Sequence, residues 1–178
     1  MAFISGGAGS SRLFIPPLSA QAHGPVKIMP FEYLACPACG HKVKSYLNPC
    51  PAVDIIIEVV GGIILIERKN EPLGWALPGG FVDYGETLEQ TAVREAMEET
   101  SLSIFNLRLL GCYSDPKRDP RRHTISTVYV ARGEGEPRAD DDAASLKIFQ
   151  LSALPESLCF DHSKILEDYS RLKSMGLI

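Results

Sequence analysis

Residues Gly80 to Leu102 read "GFVDYGETLEQTAVREAMEETSL", and the fold turns on this stretch. It opens with the turn formers Gly80, Asp83 and Gly85. From about Thr87 to Thr100, Leu88, Ala92, Val93 and Ala96 follow at spacings of three and four, the period of a helix with one buried side. On that helix Glu95, Glu98 and Glu99 stand at i, i+3 and i+4, so three carboxylates are expected on one patch opposite the apolar side. Arg94 can pair with Glu98 four residues on. Like charges so placed repel by ~0.2–0.5 kcal/mol per pair, and nothing about folding requires them. Two readings stand: a solvated charged face, or a nest of oxygen ligands for a hard divalent cation such as Mg²⁺ or Mn²⁺. Ser101 then occupies the place where glycine would ordinarily let a chain leave a helix through a left-handed conformation. The serine is expected either to accept a positive φ or to end the helix differently.

Working outward, "VDIIIEVV" (53–60) and "IILIERK" (63–69) are β-rich runs joined across Gly61-Gly62, a hairpin pattern. A Gly- and Pro-rich loop with a short extended piece, "NEPLGWALPGG" (70–80), leads to the helix. Strands are predicted again at "LRLLGCYS" (107–114), "HTISTVYVAR" (123–132) and "LKIFQL" (146–151), and a last helix from about His162 to Lys173. The alternation predicts one α/β domain over 52–178. Ahead of it, residues 1–31 hold no Asp or Glu, carry Gly-Gly and Pro-Pro pairs, and show no period, which predicts a poorly ordered arm. Met29 is an alternative start. Residues 32–51 form a Cys-containing segment in which Cys36, Cys39 and Cys50 are candidate zinc ligands, with His41, His23 or a residue elsewhere to complete the set. The competing readings are a degenerate zinc-ribbon-like remnant and merely a turn rich in Cys and Pro.

The chain of 178 residues has a formal net charge of −4, which argues against a general electrostatic grip on nucleic acid or an anionic membrane surface. No apolar run approaches the roughly 18–20 residues that span a bilayer. Five cysteines without an even framework fit a reducing compartment, so the cytoplasm is the expected location.

Gly80, five residues, Glu86, seven residues, Arg94-Glu95, a small residue, any residue, Glu98-Glu99, any residue, then Ser101-Leu102: this pattern closely resembles the Nudix box, with Ser101 for its final glycine as the one departure. A looser resemblance to the ADP-ribose pyrophosphatase-like group runs from "NPCPAVDIIIE" to "FDHSKILEDY". The resemblance implies an α/β/α sandwich with a mixed sheet and metal-dependent hydrolysis of a nucleoside diphosphate linked to another group, ADP-ribose first. NADH or another nucleotide as substrate, and a non-catalytic ADP-ribose sensor, are the alternatives. It implies Glu95, Glu98 and Glu99 as metal ligands, Gly80 as a carbonyl ligand, Glu86 as support and Arg94 as the group that orients the glutamates. A general base is expected from Glu98, Glu99, or the loop holding Glu134, Glu136, Asp140, Asp141 and Asp142. The basic loop "YSDPKRDPRRH" resembles one familiar in the same group, which implies substrate contacts from Arg118, Asp119, Arg121 and His123. Trp75 is a candidate to stack on adenine, or else to pack in the core. Similar enzymes are frequently dimers, so a homodimer is an expectation by analogy alone.

Overall fold

In the computed structural model, which describes residues 30–139 and 143–178, the chain divides into two compact units, the boundary falling between Leu47 and Asn48. The expected arm lies almost wholly outside the described residues, as do Met29, His23 and Asp140–Asp142. The first unit pairs β1 (Phe31–Ala35) antiparallel with β2 (Lys42–Tyr46), from Phe31 opposite Tyr46 to Ala35 opposite Lys42. Cys36 and Cys39 sit in the turn between these strands, closed by the Gly40 N–H on the Cys36 carbonyl (2.8 Å) and the Cys36 N–H on the His41 carbonyl (2.8 Å). Cys50 belongs to the second unit.

The second unit is built on β3 (Cys50–Val59), β4 (Gly62–Arg68), β5 (Trp75–Ala76), β6 (Gly79–Phe81), β7 (Ser103–Tyr113), β8 (Thr124–Glu134) and β9 (Ala143–Phe149), with helices α1 (Leu88–Thr100) and α2 (His162–Ser174). The sheet runs β5-β4-β3-β8-β7, with β6 also on β3 and β9 also on β4. β3 and β8 are parallel, the other pairs antiparallel, so the sheet is mixed. β3 shows why the sequence demands two covering layers. Successive side chains of a strand point to opposite faces. Val53, Ile55 and Ile57 therefore pack with Ala92 and Ala96 of α1, while Ile56 packs with Ile165, Leu166 and Tyr169 of α2. A strand buried on both faces reads as a nearly continuous apolar run, and "DIIIEVV" is apolar except at two positions. Its two charged positions, Asp54 and Glu58, fall on the same face as Ile56, toward α2.

The α/β/α sandwich and the β3–β4 hairpin, closed with Val59 opposite Gly62, agree with the sequence reading; several bounds differ. β7 begins at Ser103, four residues before the predicted strand, because Asn106 adopts φ 53 and the register shifts between Phe105 and Arg108 and again between Leu109 and Gly111. Such bulges break the alternation on which a period-2 reading depends. The predicted strand 146–151 is displaced to Ala143–Phe149, and the chain turns at Gln150, whose carbonyl accepts the Ala153 N–H. Among the described residues no helix is long and apolar enough to cross a membrane.

Candidate active site

Helix α1 begins in a capping box: the Thr87 hydroxyl accepts the Gln90 N–H (3.2 Å) and the Gln90 side chain accepts the Thr87 N–H (2.8 Å). It ends on Ser101 at φ 56, ψ 20, whose N–H donates to the Met97 carbonyl (2.9 Å). The left-handed exit that glycine would make is thus made by serine. Ala92 and Ala96 are buried and Leu88 packs against the core, as the apolar spacing predicts, but the fourth predicted residue and the polar ones fall otherwise. Val93 is 46% exposed, whereas Glu99 is 6% exposed and lies on the buried side with Thr91 and Thr100. Each of these polar residues has a partner: the Thr91 hydroxyl donates to Glu86 (2.8 Å), the Thr100 hydroxyl donates to the Ala96 carbonyl (2.5 Å), and Glu99 meets the "LPGG" turn.

The three glutamates do not share one solvated patch. Glu99 Oε2 accepts the Gly79 N–H (2.8 Å). The Glu95 carboxylate lies against Gly80 so closely that a β-carbon there would overlap both its oxygens. Glu98 is 43% exposed. Arg94 ties Glu95 and Glu98 to Glu86: Nε and Nη2 bind the two oxygens of Glu86 (2.8 and 2.9 Å), Nη1 reaches Glu95 (2.7 Å) and Glu98 (3.0 Å), and Nη2 also donates to the Phe81 carbonyl (3.1 Å). A planar guanidinium with five donors can make this set, and an ammonium cannot. Arg94 holds the Glu86 carboxyl down at about 2, helped by the Thr91 hydroxyl. Burial pushes Glu95 the other way, above the ordinary carboxylate range, against the pull of Arg94.

The donors facing this cleft of about 340 Å³ fit a hard divalent cation. They are carboxylate oxygens, and a glycine backbone admits Glu95 where a side chain would exclude it. Among the described residues, however, no three His, Cys, Asp or Glu side chains already form a metal-ligating group. Arg94 stands between Glu95 and Glu98 and takes the place a shared charge would hold. The same observation covers Cys36, Cys39 and Cys50, which yield no zinc site among the described residues.

The basic loop divides. Arg121 borders the cleft, paired to Asp119 through Nε (3.0 Å) and Nη2 (2.9 Å) and lying over the Phe160 ring at 5.2 Å. Arg118 is committed inside the protein. It is 8% exposed, and its guanidinium binds Asp161 (2.7 Å), Asp54 (3.0 Å) and the Thr124 hydroxyl (3.2 Å). Arg122 lies over Phe81 at 5.3 Å. His123 is exposed, and its carbonyl accepts the Cys50 N–H (2.9 Å). Trp75 stays with the α2 layer, edge-on to Phe149 with ring centroids 4.9 Å apart. Glu134 ends β8, opposite Ser103, and Glu136 lies in the loop beyond, which closes on the end of α1 where the Arg138 N–H donates to the Thr100 carbonyl (2.9 Å).

No motif in the local sequence singles out Asp54, Asp161, His162 or Phe160. One signal was present: Asp54 interrupts a strand buried on both faces. Asp161 precedes α2 at the N-cap, yet makes no side-chain cap bond and serves Arg118 instead.

The NUDIX domain family profile matches residues 48–169. The chain is 51% identical over 136 residues to an ADP-ribose pyrophosphatase of Methanocaldococcus jannaschii, covering 75% of this chain and 80% of the relative. It is 35% identical over 130 residues to the NAD-capped RNA hydrolase NudC of Pectobacterium carotovorum, covering 68% of this chain but 48% of that longer protein. Among solved structures, the NUDIX domain of Shewanella oneidensis NrtR complexed with ADP ribose superposes with a TM-score of 0.63 at 26% identity, over 70% of this chain and 88% of that one.

Proposed function

The chain belongs to the Nudix family of hydrolases, and from that premise we propose that it hydrolyses ADP-ribose to AMP and ribose 5-phosphate with Mg²⁺ or Mn²⁺. The observation that carries the catalytic reading is the convergence of Glu95 on Gly80 and of Glu99 on Gly79, with Arg94 binding Glu86, Glu95 and Glu98 at once. An ADP-ribose sensor needs a pocket for the ligand; nothing in binding alone asks for three carboxylates drawn around one arginine. The choice of ADP-ribose is supported by the likeness to the Methanocaldococcus jannaschii enzyme.

In the reaction water adds to one phosphorus of the diphosphate, the bridging P–O bond breaks, and two phosphate monoesters leave. The Gly80 carbonyl, Glu95, Glu98 and Glu99 would hold a divalent cation, which would supply charge neutralisation and a more acidic water. The protein's own groups do the rest. Glu86 and Arg94 keep the glutamate oxygens apart and aimed. Glu98, the most open of the three, is the carboxylate we assign to receive the water's proton. Arg121, on the wall of the same cleft, offers a guanidinium edge to the second phosphate. Arg118 acts on the substrate indirectly, by anchoring the loop that presents Arg121. His123, exposed beside the loop, is a contact for the terminal ribose.

The test is a substrate panel of ADP-ribose, NADH, a dinucleoside polyphosphate and an oxidised nucleotide with Mg²⁺ or Mn²⁺, reading the monoester products. ADP-ribose is expected to give the highest kcat/KM, and Glu99→Gln to lose turnover. Failure of every diphosphate to react, or equal turnover by the variant, would overturn the proposal; faster NADH cleavage would move the substrate.

A further inference from the structure

Three hydrogen bonds in succession fasten the turn before Gly80 to the segment that leads into α2. The Trp75 N–H donates to the Ser157 carbonyl (3.0 Å), and the Cys159 N–H donates to the Trp75 carbonyl (2.8 Å). The Leu77 N–H then donates to Nδ1 of His162 (3.0 Å). The first two are main-chain bonds; in the third a side chain from 85 residues along the chain takes the acceptor's place. Beyond it Pro78 has no N–H, and the Gly79 N–H already points to Glu99. The sheet holds the far side of the turn, through the Ile55 N–H on the Pro78 carbonyl (2.8 Å) and the pairing of β6 with β3, and the Leu77 bond is what ties its near side to α2.

His162 is 1% exposed. Because Nδ1 accepts a hydrogen bond it carries no proton, which leaves the ring N–H on Nε2. Nε2 faces Asp54 Oδ1 at 3.4 Å and is the one buried side-chain nitrogen or oxygen without a hydrogen bond among the described residues. Asp54 is itself fixed by the Ser126 hydroxyl (2.6 Å) and Arg118 (3.0 Å), and it stands opposite Gly79 where β3 pairs with β6. A leucine would fill the same space without an orphaned donor, so packing alone gives no reason for a histidine here. The acceptor at Nδ1 does.

We infer that His162 is a positioning residue of the hydrolytic site, which sets the 77–80 turn through the Leu77 amide and so seats Glu99 on Gly79 and Glu95 on Gly80 without touching substrate. This rests on the hydrolase reading above. His162→Asn places an amide oxygen near the position of Nδ1; His162→Gln reaches to the position of Nε2 instead; His162→Leu has no acceptor. Amide hydrogen exchange of the metal-free protein is read at Leu77 and Gly79, with Val130 in β8 as a control. Protection of Leu77 and Gly79 is expected to fall at least tenfold in the Leu and Gln variants and to persist in Asn, while Val130 is unchanged. In the assay, kcat for ADP-ribose with Mn²⁺ is expected to drop about 10- to 100-fold in Leu and Gln with KM nearly constant, and to recover in Asn. Equal losses in Asn and Leu, or full kcat in Leu despite an unprotected Leu77, would overturn the inference. If the wild type cleaves no diphosphate, the functional reading falls while the exchange measurement still decides whether His162 holds the turn. Should the Leu variant fail to fold, the Asn and Gln pair carries the same comparison.

Discussion

Arg94 grips both oxygens of Glu86 from eight positions along the chain, with Nε at 2.8 Å and Nη2 at 2.9 Å, and this leaves Nη1 free to span Glu95 and Glu98. Arg94→Lys keeps the charge and loses the fork. One ammonium cannot meet Glu86 edge-on and still reach the helix carboxylates. We expect kcat to fall on the order of 100-fold, the size of effect that small misplacements of catalytic groups produce, with the circular dichroism spectrum unchanged. Wild-type turnover in the lysine variant would show that charge alone suffices.

At Gly80 the constraint is steric. A β-carbon there would overlap the Glu95 carboxylate, and the carboxylate is the part able to move. Gly80→Ala is therefore expected to lower kcat more than tenfold and to cost ~1–3 kcal/mol of stability at most. Urea titration and steady-state kinetics on the same preparation separate the two; a stability loss with full activity would place Glu95 outside the chemistry.

Asp54 supplies a pH dependence. Burial opposes its charge, but the facing His162 ring, the Arg118 guanidinium and the Ser126 hydroxyl hold its carboxyl below the ordinary 3.8 in the folded protein. A carboxyl lowered on folding adds stability that is fully present above 3.8 and is lost as the pH falls below it. The contribution is on the order of 1 kcal/mol. Asp54→Asn should thus be less stable than wild type by about that amount or more between pH 5 and 7, the difference narrowing below about pH 4. Denaturant titrations at pH 7, 5, 3.5 and 2.5 check this, and a gap that stays constant to pH 2.5 would rule against an ionised Asp54 as its source.

Ser101 holds φ 56, where a residue bearing a β-carbon is disfavoured by about 1 kcal/mol. Its N–H bond to Met97 and the seating of Glu98 and Glu99 do not involve the side chain. Ser101→Gly should raise stability by up to about 1 kcal/mol, visible as a higher Tm, with kcat unchanged. A large gain in rate without a change in Tm would mean that the hydroxymethyl group disturbs the site.

Local signals made part of this molecule readable in advance. The spacing of Leu88, Ala92 and Ala96 announced α1, Gly61-Gly62 announced the β3–β4 hairpin, and the i, i+3, i+4 glutamates with Arg94 announced the cluster. Contacts between distant segments were not readable. No pattern in "VDIIIEVV" says that β8 will lie parallel to it with Cys50 opposite Thr124, or that Asp54 will meet Arg118 from 64 residues away. Val93 was placed on the buried side and Glu99 on the open one because helical period assigns a face by hydrophobicity; it cannot know that a passing Gly79 N–H will make burial of Glu99 favourable. The basic loop was read as a set of cations for substrate, while the fold divides it between an anchor, Arg118, and a cleft residue, Arg121.

The left-handed exit at Ser101 has a consequence for how such chains are recognised. The position demands a pair of dihedral angles, φ 56 and ψ 20, and glycine is only the cheapest way to supply them. Asparagine and aspartate reach the same region readily. A pattern spelled with glycine at that place is narrower than the backbone it stands for, and proteins whose carboxylates are all present will slip through it on a methylene and a hydroxyl.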